Sequence, residues 1–149
     1  MEEQKRSREF RLTTTENDMP VVNILSSKDA SNYVRKFYHE DIAIYESAFI
    51  LLLDRANNTI GWAKIGQGGI CGTVVDIRIV AKYAIDSLAS SVIFVHNHPS
   101  GAMRPSIYDE KLTTKLNEGL ALLDVKLFDS IIIGPKEREM YSFHDEGRL

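Results

Sequence analysis

The chain has 149 residues, 44% hydrophobic and 26% charged, with only 9 Gly and 4 Pro, which supplies apolar material for one globular domain and excludes collagen-like, low-complexity and wholly disordered classes. Its 18 basic against 21 acidic residues leave a net charge of −3, so the field of the chain repels a phosphate backbone and disfavours a purely electrostatic nucleic-acid binder. The single cysteine, Cys71, excludes an intrachain disulfide and any two-thiol zinc or redox motif. It reads as a small packed hydrophobe in a protein of the reducing cytoplasm.

Residues 1–20 mix both charge signs without an apolar period, and residues 1–11 are charged where a secretory segment would be apolar. They are expected to form an arm, loose or strand-forming, ahead of a domain over 21–149. The basic residues Lys5, Arg6, Arg8 and Arg11 are diluted by acidic ones, a poor composition for a DNA-binding arm. Ser26 or Ser27 can cap a helix running to about His39, with Ala30, Val34 and Phe37/Tyr38 at helical spacing. Residues 47–53 are densely apolar, 54–58 read as a turn and 59–65 alternate, a β-hairpin pattern. The apolar run is far short of the roughly 20 residues that a membrane helix needs. The glycines of 66–72 match no phosphate-binding loop in spacing.

A short strand is expected over 73–77, then a helix over 78–89 with Val80, Ala84, Ile85 and Leu88 inward. Residues 91–95 are apolar without alternation, as in a strand covered on both faces. Pro105 and Ser106 open a helix with the stripe Leu112, Leu116, Leu120 and Leu123. Residues 125–133 form another buried strand closed by Gly134 and Pro135, and 140–143 a last short one. This order predicts an α/β (α+β) architecture, a mixed β-sheet with helices packed on its faces.

Two of the four histidines, His96 and His98, stand two apart at the carboxyl end of the strand expected over 91–95. In extended chain such residues point to one face about 7 Å apart at Cα, so both imidazoles can reach one ion. The plainer alternative is a pair of hydrogen-bonded histidines where strand passes into loop. Ser106 and Asp109 open the following helix as Ser-x-x-Asp, close to a capping box, and capping is compatible with ligation by Asp109. Two histidines and an aspartate would leave a fourth position for water, as in catalytic zinc sites. Hydrolysis then needs a proton carrier. Glu46, just before the apolar strand, is the candidate, while Glu110 and Glu118 lie on the long helix near solvent; without the other residues Glu46 would read as a solvated carboxylate. His39 and His144 read as surface or capping residues.

Taken together, Glu46, His96-x-His98 and, after the seven residues from Pro99 to Pro105, Ser106-x-x-Asp109 resemble the JAMM signature of JAB/MPN metalloproteins. The segments HNHPSG, LFDSIIIG and MYSFHDEG are similar to the RadC branch of that superfamily. The resemblance covers about residues 21–147. It implies a three-layer sandwich related to cytidine deaminases, one zinc ion per chain on His96, His98 and Asp109, Glu46 as general acid/base and Ser106 helping to hold the oxyanion. The activity implied is hydrolysis of an amide or isopeptide bond in a polypeptide substrate. The RadC name is associated with DNA repair, although none of these residues performs repair chemistry. Residues 1–20 are too short for the helix-hairpin-helix region common in RadC proteins, so direct DNA binding is expected to be weak or absent. Ser130 stands where many members carry His. The rival reading is a non-catalytic zinc-containing binding module whose partners are DNA-repair, recombination or mobile-element proteins. Phosphodiester hydrolysis is less favoured, because one mononuclear site on an acidic chain offers little to a polyanion. A zinc deaminase would need H-x-E and P-C-x-x-C, which one cysteine excludes.

Overall fold

The computed structural model describes Ser7, Glu9, residues 13–68 and residues 74–149. Lys5, Arg6, Arg8 and Arg11 of the arm, and Cys71 with its expected packing, lie outside the described residues. Along the chain follow α1 (Ser27–Val34), a 3-10 turn (Glu40–Ala43), β1 (Ser47–Leu53), β2 (Thr59–Gln67), α2 (Ile77–Asp86), β3 (Ser91–Asn97), α3 (Ile107–Ala121), β4 (Lys126–Ile133) and β5 (Met140–Ser142). The strands form one sheet in the order β2-β1-β3-β4-β5. β3 and β4 are parallel and the other neighbours antiparallel. A parallel pair needs a crossover connection, and α3 supplies it.

Every residue of β1 and of β3 is buried, because helices cover both faces of the sheet. Period-2 alternation sorts the side chains into two cores. Ala48, Ile50, Leu52, Val92 and Phe94 pack with Val80 and Ala84 of α2 and with Leu112, Leu116 and Leu120 of α3. Phe49, Leu51, Leu53, Ile93 and Val95 pack with Ala30, Tyr33 and Val34 of α1. The result is a mixed five-stranded sheet between helical layers, the α+β sandwich that the apolar pattern anticipated. Among the described residues no helix is long and apolar enough to cross a membrane.

The structure corrects several expectations at element ends. The first helix stops at Val34 rather than near His39. Phe37 leaves the helix to stack on Trp62 at a ring separation of 4.1 Å, and the 3-10 turn that follows has no apolar period to announce it. The strand expected over 73–77 is absent from residues 74–77: Val74 is exposed, and Asp76 caps α2 by accepting the Arg78 N–H at 2.9 Å. Ile85 and Leu88, expected inward, are 49% and 84% exposed. α2 ends at Asp86, and Leu88 takes a φ of 52°, a left-handed turn that swings Ala89 into the core instead. α3 closes the same way, with Asp124 at a φ of 57° and Val125 donating to the Leu120 carbonyl at 3.0 Å. Leu123 is left 43% exposed and Val125 is buried in its place. β3 runs on to Asn97, two residues past the expected end, so His96 is a strand residue.

Candidate metal centre

The site is assembled where three segments meet at the carboxyl end of β3. Alternation along β3 continues from Phe94 to His96 on the face covered by α3, and His98 follows just past the strand. The chain then reverses: the Gly101 N–H donates to the His98 carbonyl at 2.9 Å. Gly101 has a φ of 79°, a conformation that suits glycine. This turn brings the Ala102 carbonyl to 2.7 Å from His98 Nδ1. A carbonyl only accepts, so neutral His98 carries its proton on Nδ1 and aims the Nε2 lone pair inward.

Asp109 arrives from the first turn of α3. A capping box holds it there: Ser106 Oγ accepts the Asp109 N–H at 3.0 Å, and Asp109 Oδ2 accepts the Ser106 N–H at 2.8 Å. The cap leaves the carboxylate directed at both imidazoles. Asp109 Oδ1 lies 3.1 Å from His96 Nε2, Asp109 Oδ2 lies 3.1 Å from His98 Nε2, and the two Nε2 atoms are 3.2 Å apart. Ligand atoms about 2.0 Å from an ion in a tetrahedral shell lie about 3.3 Å from one another, close to each of these separations, with the two imidazoles meeting different oxygens of the one carboxylate. Glu46 comes from the loop between the 3-10 turn and β1. One ligand atom from each of Glu46, His96, His98 and Asp109 falls within 4.8 Å of the others, a group that could hold a metal ion. Asp109 pairs with both imidazoles and Glu46 with neither.

Burial by itself would raise the Asp109 carboxyl, but hydrogen bonds from both imidazoles and the Ser106 N–H outweigh it and hold the pKa far below the usual range. The bond to Asp109 raises the His98 pKa against the opposing effect of burial. Burial raises the Glu46 carboxyl, with the imidazoles opposing and the Asp109 charge adding to it. The donor set fits a metal ion: once both Nε2 atoms are deprotonated, two imidazole lone pairs lie close to a buried carboxylate, an arrangement that a cation stabilises. His98 also has the outer carbonyl partner usual for a ligating histidine, whereas His96 Nδ1 is buried without a hydrogen-bond partner among the described residues.

Comparison with known proteins places the chain in a family. Residues 24–148 match the RadC-like JAB domain. The chain belongs to the RadC-like JAB domain family. A UPF0758 protein of Flavobacterium johnsoniae is 39% identical over 132 residues, 89% of this chain and 56% of that protein. UPF0758 proteins of Porphyromonas gingivalis and Cellvibrio japonicus are 38% and 36% identical, over 70% and 89% of this chain and 45% and 58% of their own lengths. The chain thus spans about half the length of the curated relatives it matches.

Within this RadC-like JAB domain, Ser130 does not join the cluster: it is fully buried on β4 and shares a hydrogen bond with Thr113 Oγ1 at 2.9 Å. Glu110 pairs with Arg148 at 2.6 Å, and Glu118, His39 and His144 lie at the surface. Three contributors were missed at the sequence level. The Ala102 carbonyl and the Tyr38 hydroxyl, which donates to the Ser47 carbonyl at 2.8 Å, act through folding that no local pattern displays. The third, Asn97, had a readable signal: alternation places it on the face opposite His96, where a polar residue falls in an otherwise apolar series.

Proposed function

We propose that this chain is a zinc-dependent hydrolase of amide or isopeptide bonds in polypeptides, with His96, His98 and Asp109 holding the ion. The observation that carries the reading is the division of the cluster into three mutually close ligand groups and one carboxylate, Glu46, that stands off from them. Zinc, when bound, supplies Lewis acidity toward a carbonyl oxygen and lowers the pKa of water. Glu46 takes a proton from the attacking water and returns it to the leaving nitrogen. Its burial-raised pKa brings donor and acceptor roles closer to neutral pH, which favours a group that must do both. Ser106 Oγ accepts the Asp109 N–H, so its own hydrogen is free to donate to the developing oxyanion.

The test is metal content together with turnover of wild type and Glu46→Gln on peptide and isopeptide substrates. One zinc per chain in both proteins is expected, with hydrolysis lower in Glu46→Gln by about 10²-fold or more. Loss of zinc in Glu46→Gln would make Glu46 a ligand and favour the binding-module reading, in which the metal is structural. Association with duplex DNA is expected to be weak and steeply salt-dependent, as the net charge of −3 implies.

A further inference from the structure

Asn97 lies between the two imidazoles in sequence and on the opposite face of β3 in space. Its neighbours in that alternation, Ile93 and Val95, belong to the core beneath α1. Asn97 is fully buried, and a buried amide on an apolar face is costly unless every polar atom is satisfied. All three hydrogen bonds of its side-chain amide go to the backbone of one segment. Oδ1 accepts the Ser47 N–H at 2.7 Å, and Nδ2 donates to the carbonyls of Ile42 and Tyr45 at 2.8 Å each. Tyr45 and Ser47 are the residues on either side of Glu46.

We propose that Asn97 is the positioning residue of this centre: one side-chain amide ties the strand end that bears His96 and His98 to the backbone before and after Glu46, and so sets where the Glu46 carboxylate stands relative to the three ligand groups. The role in turnover rests on the reading of Glu46 as proton carrier. The chemistry requires this residue type, since only a planar amide presents one acceptor and two donors at that reach. Asp lacks the donors, Ser is too short, and Gln carries the amide one methylene too far. Asn97 touches neither metal nor substrate. It acts because residues 96 and 98 face one way and residue 97 the other, so a single strand end holds both halves of the centre.

The test uses the whole chain and reads position without requiring turnover. Wild type, Asn97→Ala and Asn97→Asp are compared by amide hydrogen exchange and, after loading with Co(II), by the paramagnetic shifts of the Glu46 side chain and the histidine rings. In Asn97→Ala the Ser47 amide is expected to exchange about tenfold faster or more, while the amides of Leu51 and Ile93 stay protected. His96 and His98 keep their cobalt-shifted signals, and the Glu46 shift, which falls steeply with distance from the ion, collapses. In Asn97→Asp an oxygen still faces the Ser47 N–H, so that amide stays protected, but the Ile42 and Tyr45 carbonyls lose their donor and the Glu46 shift changes. An unchanged Glu46 shift in both variants overturns the proposal, as does faster exchange spread through β1 and β3, which marks a packing role. If the protein takes no cobalt, the ligand assignment fails and exchange in segment 42–47 decides the clamp. If the Asn97 variants move Glu46 while Glu46→Gln leaves hydrolysis untouched, the clamp stands and the proton-carrier reading falls.

Discussion

Asp109 and Asp129 are both buried carboxylates, 5% and 3% exposed, and both accept several hydrogen bonds, yet their surroundings differ in kind. Asp129 on β4 accepts from the Ser142 hydroxyl at 2.6 Å, the Ser130 N–H at 2.7 Å and the His144 N–H at 3.0 Å. All three are neutral donors, and burial still holds its pKa above the usual range. Asp109 faces two imidazoles whose Nε2 atoms can give up their protons and offer lone pairs instead. The Asp129 cluster is complete as it stands and staples β5 and the following turn to β4. The Asp109 cluster points several acceptors at one place and invites a cation. A buried carboxylate therefore marks a candidate metal centre only when its partners can act as ligands.

The sharpest way to break this comparison is to remove one member of each cluster. His98→Ala should weaken zinc binding by more than the roughly 10- to 100-fold that loss of an outer-shell partner costs, measured by competition with a chromophoric chelator. Asp129→Ala should leave metal content at the wild-type level. It should instead lower stability by about 3 kcal/mol, because two buried donors and one part-buried donor lose their acceptor, read as a lower urea midpoint. Metal loss in Asp129→Ala, with the fold retained, would erase the distinction.

A smaller effect sharpens the electrostatic half of the comparison. The Asp129 pKa is raised in the fold by burial, so the fold disfavours its charged form more than the unfolded chain does. The contribution of the neutral form is fully present below the ordinary aspartate range and is lost as pH rises through the raised folded value. The stability of wild type relative to Asp129→Asn should accordingly fall over that interval and level off above it, followed by urea titrations across pH. The smallest effect lies away from both carboxylates, at Leu88. This exposed residue has a φ of 52°, and Leu88→Gly should raise stability by up to about 1 kcal/mol in thermal melts, with metal content unchanged.

Much of the fold was legible because burial on both faces writes continuous apolar runs, as in residues 47–53 and 91–95, and helices write stripes such as Leu112, Leu116 and Leu120. Element ends were less legible. Phe37, Ile85, Leu88 and Leu123 all fit a helical period on paper. Phe37 was drawn off by Trp62, and left-handed turns at Leu88 and Asp124 moved the inward role to Ala89 and Val125. A residue's own period cannot register a competing partner that is distant in sequence.

The centre divides along the same line. The chain by itself determined the candidate chemistry: His-x-His and Ser-x-x-Asp are local, since strand alternation and helix capping depend on neighbours two or three residues away. It also suggested Glu46, through its place before β1 and the family pattern. Only the tertiary structure brought Glu46, His96, His98 and Asp109 within 4.8 Å of one another. Only the tertiary structure, too, assigned Asn97 its three bonds to a segment some 50 residues away. Side-chain type and local spacing are properties of covalent order, whereas the separation between two strand ends is set by how the sheet and its helices pack.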